Sequence, residues 1–262
     1  MATTTLNLTS SEYKLLVQKG GVTGTTIVQR FGERDAFGTD ATGEDITRTN
    51  ELTPGVSTVK IPLIGAGGVL ISIVSESNAD NGATATGILT AEVHYIDVNG
   101  DEQVWTPTLN GTTPVDSTIL MRHINDVHAL TVGSNGVAEG NIKVYLTGTN
   151  TTVYSMIALG GNQSMLTNYM IPRAKTLYLQ SWDCTEANDK RITMRIRATT
   201  NEGLLLTGVF LFKDVAYVKK SSTGELTVLA VIPAFAIVKV SGWGIQAGAE
   251  TSAGWWGYLV ND

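Results

Sequence analysis

Apolar and polar residues alternate along most of this chain, which is the pattern of β-strands that bury one face. In one run, Ile192, Met194 and Ile196 are predicted to face inward, and Thr193, Arg195 and Arg197 outward. In another, Leu89, Ala91, Val93 and Tyr95 share one face, and Thr90, Glu92 and His94 share the other. No segment of any length shows the periodicity of an amphipathic helix. The pattern therefore predicts an all-β protein.

Two Ile-Pro pairs, Ile171-Pro172 and Ile232-Pro233, are each followed by an alternating stretch that reaches a Trp ten positions after the Pro. Proline lacks an N–H and suits the first position of a strand rather than its middle. Each pair therefore predicts the start of a strand. The two tryptophans, Trp182 and Trp243, are predicted to pack in the core or at an interface.

Turn signals separate the strands at the spacing of β-sandwiches and jelly rolls. Asn99-Gly100 predicts a β-hairpin with a type I′ turn, which needs positive φ at both central positions. The apolar closing segment at 255–260 is predicted as a docked strand, since loose tails are polar. The predicted organisation is an N-terminal arm or extended segment over residues 1–54, a β-sandwich domain over 55–160 and a jelly-roll-like β-sandwich domain over 161–262.

The N-terminal part of the chain differs from the rest. Residues 29–54 carry many charged side chains and almost no apolar alternation. Two interpretations stay open for them: a solvated loop, or an arm that lies on another subunit. Residues 10–19 fit a short helix or an extended arm equally well, because periodicity cannot separate these over so few positions.

Composition limits the classes of partner. The net charge is −6 and no stretch is basic, so neither nucleic acid nor an anionic membrane surface is an expected partner. No apolar run approaches the roughly 20 residues of a membrane span, and the N-terminus lacks a signal-peptide pattern. We expect a soluble protein made in the cytoplasm. Cys184 is the single cysteine and has no internal disulfide partner.

Two groups of residues raise the question of a metal ion. The segment at 97–102 resembles the start of a calcium loop, but an EF-hand needs Gly where Glu102 stands and Glu where Thr108 stands. A hairpin turn is favoured, with a looser calcium site from Asp97, Asp101 and Glu102 as the alternative. His123 and His128 are five positions apart and match no zinc spacing. We therefore predict no metal-binding residues.

No catalytic motif stands out either. The chain has no nucleophile elbow and no P-loop, and Gly65-Ala66-Gly67-Gly68 lies between strands, where no helix N-terminus is available for a phosphate. We expect no enzymatic activity, no catalytic residues and no cofactor. A glycan-degrading enzyme with two facing carboxylates stays a third hypothesis, although nothing in the sequence indicates which two carboxylates would form the pair.

The tryptophans raise the question of sugar binding. Trp255 and Trp256 are adjacent in a predicted strand and must point to opposite faces. One is therefore expected in the core, and the other exposed or covered by a subunit. Core and interface roles are favoured, and a receptor- or glycan-binding module that uses Trp256 is the alternative.

Several short motifs together span most of the chain: Arg30-Phe31-Gly32-Glu33-Arg34-Asp35, the turn at 108–115, Ile171-Pro172 with Trp182, and the closing segment at 254–260. In these motifs the chain resembles virion structural proteins of tailed bacteriophages, especially a group from marine and aquatic phages. The resemblance implies a non-enzymatic, β-rich particle component that works as a homo-oligomer, by analogy a trimer, in contact with other virion proteins. Its place would be the virion, as head decoration, vertex, neck, baseplate or fibre, after synthesis in the bacterial host cytoplasm.

Overall fold

The computed structural model describes Leu16 and residues 22–39, 43–47, 60–82, 85–199 and 209–262. The described chain is all-β and sandwich-like, as the alternation predicted. Its strands are β1 (Thr25–Phe37), β2 (Glu44–Asp45), β3 (Ile71–Ser75), β4 (Ile88–Asp97), β5 (Glu102–Trp105), β6 (Val115–Asp116), β7 (Met121–Val132), β8 (Ile142–Leu146), β9 (Val153–Ile157), β10 (Tyr169–Met170), β11 (Lys175–Glu186), β12 (Ile192–Ala198), β13 (Leu211–Val218), β14 (Ser221–Ser222), β15 (Leu226–Ile232), β16 (Ile237–Gly244) and β17 (Ala249–Asn261).

Two antiparallel sheets, ordered β6-β3-β8-β9 and β5-β4-β7, enclose the core of a first sandwich. The predicted faces of β4 are confirmed for Ala91, Val93 and Tyr95, which lie in this core. At the start of the strand the core residue is Ile88 rather than Leu89, because the β4–β7 register shifts between Ile88 and Thr90. A bulge of this kind exchanges the two faces of a strand.

A second sandwich is formed by the later strands together with β1 and β2. One sheet has the order β1-β17-β11, with β14 and β15 both paired to β11, and the other has the order β10-β16-β12-β13, with β2 paired to β16. The inward prediction for Ile192, Met194 and Ile196 is confirmed, since all three lie in the core between these sheets. Trp182 and Trp255 fill the same core.

The expected N-terminal loop or subunit-spanning arm is wrong for the part of it that forms β1. This strand pairs antiparallel with β17, from Thr25 opposite Val260 to Arg34 opposite Thr251, so it is an edge strand of the chain's own sheet. Arg34 is buried, is paired with Glu44 and lies over the ring of Phe37. Because a charged residue takes an inward position, the strand shows no apolar alternation. The helix or arm considered for residues 10–19 lies outside the described residues apart from Leu16.

The two Ile-Pro pairs do not begin strands as predicted. Each proline lies in a turn a few residues before its strand, β11 or β16, and each turn contains a residue with positive φ, Ala174 or Phe235. The turns meet in space: the N–H of Ile171 donates to the carbonyl of Ala236 (2.9 Å), and the N–H of Phe235 donates to the carbonyl of Ile171 (2.8 Å). The two Ile-Pro pairs therefore mark two turns that are hydrogen-bonded to each other.

The Asn99-Gly100 hairpin is confirmed, since β4 and β5 pair antiparallel on either side of it. Its turn is not type I′, because Gly100 has positive φ and Asn99 does not. The N–H of Gly100 donates to the carbonyl of Asp97 (3.0 Å), and the Asp97 carboxylate accepts the N–H groups of Asn99 and Asp101. These bonds favour a type I turn followed by a Gly bulge.

The junction between the sandwiches is built around this turn. The N–H of Arg173 donates to the carbonyl of Gly100 (2.7 Å), and its guanidinium pairs with Asp101 (2.7 Å). On the neighbouring strand, Asn125 and the backbone of Met170 exchange two hydrogen bonds. A small apolar cluster of Ile96, Met170 and Ile237 closes the contact.

Candidate functional site

The face of β12 and β16 that points away from the core carries charged and aromatic side chains. The register places Arg197 opposite Lys239, Arg195 opposite Ser241, and Thr193 opposite Trp243. The sequence correctly placed Thr193, Arg195 and Arg197 on the face opposite the core. That face is largely covered, however, and Arg197 and Thr193 are buried.

Asp45 organises the covered half of this face. Its Oδ2 accepts from Lys239 Nζ (2.8 Å) and from the N–H of Ile61 (2.9 Å), and its Oδ1 accepts from Ser241 Oγ (2.8 Å). Arg197 Nη2 lies 3.4 Å from the same carboxylate. Burial by itself raises the pKa of Asp45, but Lys239, Arg197 and Ser241 outweigh it and hold the pKa below its usual range. The group joins β2 and residue 61 to β16, which is a structural role.

The other half of the face is aromatic, and the described residues leave much of it exposed. The guanidinium of Arg195 lies 4.5 Å from the ring centroid of Phe212 and 4.2 Å from that of Trp243, and these two rings meet edge-on. Further along β13, Val215 and Tyr217 point outward, and Tyr217 is 82% exposed. We call this surface the aromatic edge: Arg195, Phe212, Val215, Tyr217 and Trp243.

The aromatic edge follows a strand that is paired on one side. Among the described strands, β13 pairs with β12 and with no other. The strand β15, whose Leu229 and Val231 are exposed, is likewise paired with β11 alone, and it lies beside β13. Unpaired strand edges accept further strands, and Trp, Tyr and Arg are the residues that anchor protein interfaces. The sequence predicted Trp243 in the core or at an interface and did not identify this surface.

The three residues considered for calcium do not converge on one site. Asp97 caps the hairpin turn and Asp101 pairs with Arg173. Glu102 lies 3.4 Å from both Asn125 Nδ2 and the hydroxyl of Tyr169. In the described part of the chain, one group of three metal-ligand side chains has donor atoms close enough to share an ion, and it consists of Glu92, His94 and His128.

The two histidines considered from the sequence lie in different environments. His123 is buried at the junction, and its Nε2 makes no hydrogen bond within the described residues. Burial lowers the pKa of His123 to about 3, and the positive charges of Lys239 and Arg30 contribute. His128 lies on the outer face of β7, directly opposite Glu92. The sequence predicted no metal site from His123 and His128 and did not connect His128 with Glu92, because the register of β4 and β7 decides which side chains meet.

The adjacent tryptophans of β17 point to opposite faces, as predicted. Trp255 is buried and donates from Nε1 to the carbonyl of Thr167 (2.8 Å). Trp256 is partly exposed, donates from Nε1 to Glu225 (2.8 Å) and meets the ring of Tyr258 edge-on. Trp256 therefore remains the residue on which the glycan-binding alternative rests.

No protein-family model matches the sequence, and a search of curated proteins finds no match. Within the residues that the structure describes, no helix is long and apolar enough to span a membrane.

Proposed function

We propose that this chain is a non-enzymatic structural component of a bacteriophage particle and acts by assembling with copies of itself and with other virion proteins. The observation that carries the assembly role is the aromatic edge, which follows β13, a strand that is paired on one side only among the described strands of the second sandwich. The virion setting rests on the resemblance of the sequence motifs given above.

Assembly would remove the aromatic edge from water. Burial of apolar surface contributes roughly 25 cal/mol per Å², and Tyr217 has most of its surface to lose. Backbone N–H and C=O groups on the side of β13 away from β12 can pair with a strand of a neighbour, which aligns the two subunits. Lys213 is the third residue of this strand, and a charge there disfavours unspecific edge-to-edge pairing.

The same contact repeated between identical subunits closes into a ring or a two-fold pair. A trimer is the expected form by analogy with the resembled proteins. The junction of the two sandwiches would keep each subunit rigid in such an assembly, because Asn125, Arg173 and their partners join them through both side chains and backbone.

The experiment is light scattering on the purified full chain at several concentrations. We expect a wild-type oligomer, and a shift to monomer for Tyr217→Asp and Phe212→Asp. Leu159→Asp is the matched control, because Leu159 is also an exposed apolar residue but lies in the first sandwich after β9. A stable wild-type monomer that is also absent from intact phage particles by mass spectrometry would overturn the proposal.

A receptor- or glycan-binding module is the second candidate. It is favoured by the partly exposed Trp256 and by Tyr178, which is exposed on the neighbouring strand β11. A glycan array with the wild type and Trp256→Ala separates the two roles. Binding that is lost in the variant supports this candidate, and no binding by either protein counts against it.

A further inference from the structure

We propose that Glu92, His94 and His128 bind a zinc ion on the outer face of the first sandwich, at a site independent of the aromatic edge. Glu92 and His94 are two residues apart on β4 and so share a face. The register of β4 and β7 places His128 opposite Glu92, and Asp126 opposite His94. Three potential ligands therefore converge from two neighbouring strands.

The spacing of the donor atoms suits a tetrahedral ion. Oε2 of Glu92 lies 3.1 Å from Nε2 of His128 and 3.3 Å from Nε2 of His94. The three donor atoms lie within 4.8 Å of one another. Bonds of about 2.0–2.2 Å to a tetrahedral zinc ion place its ligand atoms about 3.3 Å apart. Little movement is needed to bring all three donors onto one ion.

A second carboxylate lies near one of the imidazoles. Oδ2 of Asp126 lies 3.6 Å from Nδ1 of His128, the ring nitrogen that faces away from Glu92. Asp126 is itself fixed by hydrogen bonds from Ser164 Oγ (3.0 Å) and Gln163 Nε2 (3.2 Å) and by an ion pair with Arg30. A carboxylate at this position favours a proton on Nδ1, which leaves the lone pair of Nε2 for a metal.

The ligand set selects the class of metal. Two imidazoles and one carboxylate suit zinc and similar transition-metal ions, whereas calcium and magnesium take oxygen ligands. The three side chains are between 26% and 33% exposed, so an ion can reach them from solvent. A fourth position would remain for water or for an external ligand, as in zinc sites with three protein ligands.

The competing explanation is a hydrogen-bonded cluster without a metal. In that arrangement both Nε2 atoms carry protons and donate to Glu92, while the imidazole rings, 5.1 Å apart, stack on each other. Such a cluster would bind zinc no better than a scattered set of surface side chains. Direct titration of the full chain with zinc chloride therefore separates the two explanations.

Calorimetric titration with zinc, repeated with cobalt to record its absorption spectrum, is the first measurement. We expect one ion per wild-type chain and a tetrahedral cobalt spectrum. His94→Ala, His128→Ala and Glu92→Gln should each weaken zinc binding more than tenfold, and Asp126→Asn roughly 10–100-fold. Glu76→Gln is the matched control, because Glu76 pairs with Lys143 away from the site. It should bind zinc like the wild type.

Histidine NMR signals of the wild type give a measurement that needs no variant. Zinc should move the signals of His94 and His128 and leave that of the buried His123 unchanged. A wild-type chain that binds no zinc, a His94→Ala/His128→Ala variant that binds with wild-type affinity, or a zinc-dependent change confined to His123 would each overturn the proposal.

Discussion

The ring of Phe235 lies directly against Gly100, so closely that a Cβ added at Gly100 would overlap the ring. Gly100 belongs to the β4–β5 hairpin turn of the first sandwich, and Phe235 to the turn before β16 in the second. Both residues have positive φ. Two turns, each with a residue of positive φ, therefore contact each other, and the absence of a side chain at Gly100 lets the sandwiches approach.

Replacement of Gly100 by alanine should destabilise both the turn and the junction. Gly100→Ala forces a Cβ into the left-handed region, which costs roughly 1–2 kcal/mol, and adds the overlap with Phe235. Gly148→Ala is the control, because Gly148 also has positive φ but has no atom within 4 Å of an added Cβ. We expect urea unfolding to show a larger loss for Gly100→Ala than for Gly148→Ala, and partial recovery in Gly100→Ala/Phe235→Ala. Equal losses for both glycines would contradict this account of the junction.

Removal of the Asp45 charge should destabilise the second sandwich strongly. Asp45→Asn leaves Lys239 and Arg197 buried near each other without their carboxylate. Breaking a buried pair in this way costs about 3–5 kcal/mol. Glu76→Gln makes the same chemical change at an exposed pair and should cost no more than about 1 kcal/mol. Denaturant unfolding of the two variants tests the difference, and a small loss for Asp45→Asn would show that the cations find other partners.

The sequence predicted those parts of the fold in which a periodic apolar pattern coincides with the core. This holds for Ile192, Met194 and Ile196 on β12. It fails for β1, where the inward position of Arg34 is satisfied by Glu44 rather than by apolar neighbours. No pattern within one segment can reveal a partner that lies on another.

The same limit applies to predicting the metal-ligand cluster and the aromatic edge from the sequence. The Glu92–His128 contact depends on a β4–β7 register that contains several bulges, and bulges cannot be placed from residue spacing alone. The aromatic edge is recognisable once the order of the described strands places β13 at the end of its sheet. The alternation of the strands could be predicted from the sequence, whereas the order of strands and their register could not.

Cys184 should be inert in the folded protein. Its side chain is fully buried in the core of the second sandwich, and burial raises the pKa of the thiol to about 12. Since the thiolate is the reactive form, a thiol reagent such as DTNB should label the native chain very slowly. The same reagent should label one thiol per chain rapidly in urea. Fast labelling without denaturant would show that the core opens readily around β11.

Protonation of His123 should make the fold sensitive to mild acid. Burial lowers the pKa of His123 to about 3, with Lys239 and Arg30 contributing, whereas an imidazole in an unfolded chain titrates near 6.5. Between these values the unfolded state binds more protons, so stability is full above about pH 6.5 and falls as the pH is lowered.

The loss amounts to about 1.4 kcal/mol per pH unit below 6.5, or about 2 kcal/mol at pH 5. Urea unfolding at about pH 7.5 and about pH 5, with EDTA present, should show this loss in the wild type. His123→Gln should lack it, because glutamine does not titrate, and the other two histidines contribute equally to both proteins. If the wild type and the variant lose the same stability over this range, His123 is accessible to protons in the folded state and the junction is more open than the structure indicates.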